Sequence, residues 1–194
     1  MKAPTPTELE NRFVRLVPLA QKHAPAFAII GKDPTIWNYL APEPFRNAED
    51  AERWIRMMLG RPEYAVSYSV FDAATNSLAG STSYMSVSET NESLEIGFTW
   101  YAKQFQRTSI NTATKLLLLT NAFENLGAGR VQLQTDARNT ASQRAIARIG
   151  GVKEGVLRNH KKYPSGFVRD TVVFSIIREE WPEVRQNLTD RLQA

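Results

Sequence analysis

Apolar and polar positions alternate over Arg12–Val17 and stop at Pro18, which predicts a first strand. Residues 22 to 40 carry a helical spacing interrupted at Pro34, as one or two short helices would. Asn47, three residues ahead of Asp50, reads as an N-cap. Ala51, Trp54, Ile55, Met58 and Leu59 then share one helical face, and Gly60 ends it. Three strand-like runs follow. Tyr64–Phe71 and Leu78–Val87 form a hairpin across residues 73 to 77, and Leu94–Tyr101 is the third. In that run a period of two places Leu94, Ile96, Phe98 and Trp100 on one face, with Glu95, Gly97, Thr99 and Tyr101 on the other. Gly97 inside it marks a bulge or a close approach.

Further along, 111 to 126 reads as a helix with Leu116, Leu119, Phe123 and Leu126 as its stripe and Gly127 as its stop. Residues 130 to 135 alternate as a strand, and 140 to 149 form a helix ended by Gly150 and Gly151. Strands at 152 to 158 and 168 to 177 join across Tyr163–Gly166, and Trp181, Val184, Leu188 and Leu192 mark a closing helix. Residues 1 to 11, polar and holding two prolines, read as a loose end. Strands and helices thus mix along the whole length. The prediction is an α/β (α+β) chain of 194 residues, one domain with a mixed sheet and helices packed on it.

Apolar content of 42% and charged content of 23% describe a soluble globular chain. No apolar run approaches the roughly 18 residues of a membrane span, and no apolar segment follows Lys2 as in a signal peptide. Zero cysteines exclude disulfides, thiolate metal sites and a cysteine nucleophile, and suit the cytoplasm. Two histidines, His23 and His160, argue against a metal centre. The net charge of +4 and pI near 9.4 fit a phosphorylated small molecule or RNA as partner; without a long basic block, DNA is not expected.

Two polar turns carry the candidate chemistry. Residues 103 to 115 join an extended run to a helix start, where unpaired backbone N–H groups and the helix dipole make a seat for phosphate or pyrophosphate. Arg107 adds a guanidinium suited to phosphate oxygens. That turn alone reads equally as an ordinary strand-to-helix connection. A second turn, Asp136–Ser142, follows the next strand and offers the amide of Asn139 and the hydroxyl of Ser142. Two successive strand-turn-helix units put both helix N-termini at neighbouring strand ends, the edge where open sheets bind ligands. A long anionic cofactor would span both.

These segments resemble the GCN5-related N-acetyltransferases, and among them the ribosomal-protein N-acetyltransferase-like branch. The matching stretch is residues 94 to 181. It holds Glu95-Ile-Gly-Phe98, Gln106-Arg-Thr-Ser-Ile-Asn-Thr112, Asp136-Ala-Arg-Asn-Thr-Ala-Ser-Gln-Arg144, Ile149-Gly-Gly151, Glu154-Gly-Val-Leu-Arg158, Arg169-Asp-Thr-Val-Val-Phe-Ser175 and Glu180-Trp181. The first half matches only in its order of elements. The resemblance implies a mostly antiparallel sheet with a splayed fourth strand and helices on both faces. It implies acetyl-CoA as cofactor, with its pyrophosphate on the backbone of Gln106, Arg107, Thr108, Ser109, Ile110, Asn111 and Thr112. The pantetheine would run along Phe98, Thr99, Trp100 and Tyr101, with Asn139 and Ser142 beside it. Ser142 is then the candidate acid for the departing CoA thiolate, or else simply a polar first-turn residue. The family carries glycine where this chain has Ser109, a small residue where it has Asn111, and glutamate where it has Ala113.

The expected reaction is acetyl transfer to a primary amine, a protein N-terminal α-amino group or a small-molecule amine, by direct attack in a ternary complex, since no cysteine can hold the acetyl group. Losing the proton at pH 7 costs a lysine about 4.6 kcal/mol but an α-amino group only about 1 to 1.4 kcal/mol, so a modest base suffices for the latter. Glu95 is the candidate base, on the face opposite Phe98; the alternative for it is an exposed strand carboxylate. Trp37, Tyr39, Phe45 and Trp54 serve either an acceptor pocket or the core. Arg158, His160, Lys161, Lys162 and Arg169 cluster at the last hairpin, as a solvated tip or a contact for an acidic peptide or RNA. A catalytically silent CoA-binding module, motivated by Ser109 and Ala113, and a basic RNA-associated protein are the competing readings. Monomer and homodimer both remain open.

Overall fold

The computed structural model describes residues 1–163 and 166–193. Its strands are, in chain order, β1 (Leu9–Glu10), β2 (Val14–Pro18), β3 (Tyr64–Asp72), β4 (Leu78–Ser88), β5 (Ser93–Tyr101), β6 (Arg130–Asp136), β7 (Val152–Lys162) and β8 (Val168–Ile177). They form one sheet in the order β1-β2-β3-β4-β5-β6-β8-β7. Every pairing is antiparallel except β5 with β6. The expected loose end of residues 1 to 11 is tied down at its last residues. Leu9 and Glu10 pair with Leu16 and Arg15, and Leu9 packs on the core. Because of that short strand, the one expected to splay is the fifth in chain order. The turn expected across Tyr163–Gly166 falls partly on Pro164 and Ser165, which lie outside the described residues.

Helices α1 (Ala24–Ile30) and α2 (Ala48–Gly60) cover one face of the sheet; α3 (Ser109–Thr120), α4 (Thr140–Arg148) and α5 (Trp181–Arg191) cover the other. The Asn47 side chain accepts from the Asp50 amide at 3.0 Å, the cap that starts α2. On the α1–α2 face, Phe27, Trp37, Phe45, Trp54 and Trp100 form an aromatic cluster with ring centroids 4.8 to 6.1 Å apart. A π turn at Asn121–Asn125 extends α3. The buried stripe runs through Leu118, Leu119, Ala122 and Phe123, at ordinary helical spacing, while Leu116 and Leu126, expected in it, are only half-buried. Lys115 lies in that buried stripe.

Two irregularities mark β5. It pairs with β6 only over Ser93–Glu95, so from Gly97 onward that edge of β5 has no strand beside it. On its other edge, Ser81 pairs with Trp100 and Ser83 with Gly97, so β5 carries one extra residue, a bulge. Phe98 sits there at φ 49°, in the left-handed region. The extra residue corrects the expected faces. Leu94, Ile96, Thr99 and Tyr101 turn toward α3, whereas Glu95, Phe98 and Trp100 turn toward α1 and α2. Glu95 therefore shares a face with Phe98. A strict period of two cannot survive an inserted residue.

Candidate active site

The candidate phosphate seat is the turn before α3. Thr108 caps this twelve-residue helix, its hydroxyl accepting from the Ile110 amide at 3.3 Å. The amides of Arg107 and Ser109 donate to no protein acceptor among the described residues, and both residues are exposed. Arg107 is the turn's left-handed residue, at φ 61°. Ser109 is the first helical residue and needs no positive φ, so the absence of glycine there strains nothing. Ala113 is fully buried and its carbonyl accepts from Asn11 Nδ2 at 3.2 Å. An acid at that position would face the core, away from the seat. Neither Ser109 nor Ala113 strains or fills the turn. Ile110 and Thr112 turn their side chains inward and Asn111 is half-buried. Gln106 donates from Nε2 to the Tyr101 carbonyl at 3.0 Å, tying the turn to the end of β5.

The turn from β6 to α4 lies at the same end of the parallel pair. Asn139 caps α4, its Oδ1 accepting from the Ser142 amide at 3.0 Å. Ser142 is half-buried, and its hydroxyl bonds to no other described group. Asp136 and Arg138, whose roles the sequence did not disclose, hold this turn. Arg138 donates from N, Nε and Nη2 to the Asp136 carboxylate at 2.8 to 3.0 Å. Burial alone would raise the Asp136 carboxyl, but the hydrogen bonds from Arg138 outweigh it and hold the group below its ordinary pKa. The Arg138 guanidinium also lies 3.7 Å from the Phe167 ring centroid.

Glu95 is 7% exposed, which excludes the reading as a solvated strand carboxylate. Burial raises its pKa, opposed by Lys161, a 3.4 Å contact from Gln132 Nε2, and Arg169. A carboxylate kept from water and left without an ion pair is suited to accepting a proton. Gly97 beside it has no room for a side chain: a Cβ there would meet Met85 Sδ at 2.6 Å and Glu95 Oε1 at 3.0 Å. Phe98 stands next to Tyr64 on the same face, with ring centroids 5.6 Å apart. It forms part of the wall of a cavity of about 690 Å³ between residues 41–46 and α2, lined also by Pro42, Pro44, Phe45, Trp54 and Met57. Phe45 and Trp54 thus serve core and cavity together. Trp37 is core, its Nε1 donating to the Gly31 carbonyl at 2.8 Å. Tyr39 is half-buried, and its carbonyl accepts from the Tyr163 hydroxyl at 3.1 Å.

Side chains of Trp100 and Tyr101 are buried in the two cores, so only their main chain faces the open edge of β5. Thr99 accepts from Lys115 Nζ at 2.7 Å. In the last hairpin Arg158, His160, Lys161 and Lys162 are exposed, but Arg169 is not. It is 9% exposed and donates to the Thr171 hydroxyl and the Tyr163 hydroxyl. The basic cluster is smaller at the surface than its sequence suggests. Among the described residues no helix is long and apolar enough to cross a membrane, and no His, Cys, Asp and Glu group could hold a metal.

A free helix N-terminus beside an open strand edge fits the diphosphate and extended arm of coenzyme A. Comparison with known proteins agrees. A family model described as an acetyltransferase (GNAT) domain matches residues 14–152, taking in the first half that the motifs did not reach. A Bacillus subtilis (strain 168) protein provisionally named ribosomal N-acetyltransferase YdaF is 36% identical over 105 residues, 54% of this chain and 56% of that protein. The match therefore spans little more than half of that relative's length. A solved structure provisionally described as an acetyltransferase from T. thermophilus is 38% identical, with a TM-score of 0.90 over 97% of this chain and 98% of its own. Mycobacterium smegmatis RimJ, solved in complex with CoA-disulfide, shares the fold at 19% identity, with a TM-score of 0.82 over 98% of this chain and 97% of its own. The chain belongs to the GNAT family of N-acetyltransferases.

Proposed function

We propose that the protein moves an acetyl group from acetyl-CoA to a primary amine, the N-terminal α-amino group of a protein being the preferred acceptor, by direct attack in a ternary complex. One observation carries this reading above the others: the exposed, unpartnered amides of Arg107 and Ser109 at the start of α3, beside the edge of β5 that β6 leaves open. In this reading the amides and the Arg107 guanidinium hold the diphosphate, and the main chain of Phe98–Tyr101 holds the extended arm. Acetyl-CoA supplies the activated acyl group as a thioester. Asn139 fixes the start of α4, so that Ser142 stands where it can protonate the departing thiolate. Main-chain N–H groups of the bulge polarise the thioester carbonyl.

Glu95 takes the proton from the attacking amine, directly or through one water. The C–N bond forms as the C–S bond breaks; the amine's proton passes to Glu95 and on to solvent, and Ser142 regains a proton from solvent as it gives its own to the thiolate. An α-amino group with pKa about 7.7 to 8.0 needs little help from a carboxylate base. The apolar cavity at Phe98 seats the acceptor's body, and the relative named for ribosomal substrates favours a protein N-terminus over a polyamine. The exposed bases of the last hairpin would then meet the acidic or RNA surroundings of such a substrate.

The test has two arms. Acetyl-CoA at about 100 times its Kd should stabilise the fold by about 2.7 kcal/mol in thermal unfolding. Free-thiol release is then followed across peptides, polyamines and aminoglycosides. Absence of the shift refutes the cofactor site. A shift with thiol release from none of these amines favours the silent CoA-binding module, and release with small amines alone refutes the peptide acceptor.

A further inference from the structure

We propose that Lys115 is a positioning residue for acetyl transfer, gripping the Thr99 hydroxyl from α3 and so fixing the bulge of β5. The inference rests on the reading that the open edge of β5 seats the thioester. Lys115 lies on the buried stripe of α3 with Leu118 and Leu119 and is 5% exposed. Its Nζ donates to Thr99 Oγ1 at 2.7 Å, and Thr99 Oγ1 lies 2.8 Å from Thr82 Oγ1 on β4. These three side chains tie α3, β4 and β5 together directly beneath the inserted residue, on the face opposite Glu95 and the apolar cavity.

The position is an expensive one for a lysine. Among the described residues no acid pairs with it, and burial alone lowers its pKa to about 7. The ionisable side chains that the strands bring to this core are the phenols of Tyr68, Tyr84 and Tyr101, which burial raises and so keeps neutral. Leucine or methionine would complete the apolar stripe without that cost. What neither can supply is a donor under Thr99. The bulge needs one, since Phe98, its neighbour, holds a left-handed conformation that L residues disfavour. Freed from Lys115, β5 can re-pair with β4 and turn the main chain of Phe98–Tyr101 away from the thioester. The loss would fall on the transfer step, because the diphosphate is held elsewhere, at the N-terminus of α3.

The full chain tests this with K115M, T99V and T99S, each scored for acetyl-CoA binding by thermal shift and for kcat and KM by thiol release. K115M and T99V should each lower kcat by about tenfold to a hundredfold while the acetyl-CoA Kd changes by less than about threefold. T99S, which keeps the hydroxyl, should lose at least about fivefold less kcat than T99V. The double variant K115M/T99V should be no slower than the slower single one, since both break the same contact. Wild-type kcat in K115M, or losses that multiply in the double variant, would overturn the inference while leaving the cofactor site standing. Absence of acetyl-CoA binding in the wild-type protein would overturn both. Loss of folding in K115M would overturn it too, because it would make Lys115 a stabilising core residue.

Discussion

Replacing Lys115 with methionine should make the fold more stable at neutral pH, although it removes a buried hydrogen bond. A lysine in the unfolded chain has its ordinary pKa of 10.5, whereas in the folded protein burial lowers it to about 7. At pH 7 the unfolded state therefore binds nearly a full proton that the folded state only half retains. The difference of 3.5 pH units corresponds to roughly 4 to 5 kcal/mol of stability forgone at pH 7 and below. For a group whose folded pKa is depressed in this way, stability rises with pH between about 7 and 10.5, because deprotonating the unfolded chain removes its advantage. Methionine has nearly the volume of the lysine stem and no charge to desolvate. Against that gain stands the lost bond to Thr99, worth about 1 kcal/mol. The net expectation for K115M at pH 7 is a gain of about 3 kcal/mol, or roughly 6 to 12 °C in Tm for a chain of this size. Chemical denaturation of both proteins at several pH values measures it. The advantage of K115M should shrink by about 3 kcal/mol between about pH 6 and pH 9.5. A variant less stable than wild type at pH 7, or a difference constant across that range, would refute the reasoning and reveal a counter-charge or water at the amine. A gain in stability with a loss of kcat would show why so costly a residue occupies the core.

E95Q should lower kcat/KM by about a hundredfold to ten-thousandfold. In the wild type the rate should rise with pH through a Glu95 pKa lifted above its ordinary 4.5 by burial, and this limb should be missing from the pH profile of E95Q. An unchanged profile would move the base elsewhere. S142A should slow thiol release by about tenfold or more while the acetyl-CoA thermal shift stays within error; equal rates would assign Ser142 to the first turn of α4 alone. R107G should raise the acetyl-CoA Kd by about five- to tenfold in calorimetry, through the lost guanidinium, without lowering stability by more than about 1 kcal/mol, because glycine accepts the φ of 61° freely. G97A should reduce kcat with little effect on acetyl-CoA binding, since the added methyl presses on the Glu95 carboxylate; unaltered kcat would show that Met85 and Glu95 yield without consequence.

Most elements, and the turn that starts α3, were legible because each depends on short-range chemistry. The Asn47 cap, the Thr108 turn, the Gly150 stop and the alternation of β3, β4 and β6 are all decided within a few residues. What the sequence concealed is what depends on a strand's neighbour. Gly97 announces an irregularity, but only the pairing of Ser81 with Trp100 and Ser83 with Gly97 shows that the extra residue comes after it. That one residue decides which face Glu95 shares. Had the alternation held, Phe98 and the cavity it lines would stand on the far side of the sheet from Glu95. With the bulge, the carboxylate, the aromatic wall and the open strand edge converge on one side. Lys115 was hidden for the same reason. Read along the helix it is a polar residue that solvent should claim, and the run of four leucines after it leaves the phase of the stripe undecided. Only the packing of α3 on the bulge turns it inward, to a threonine that strict alternation would have placed on the opposite face with Glu95.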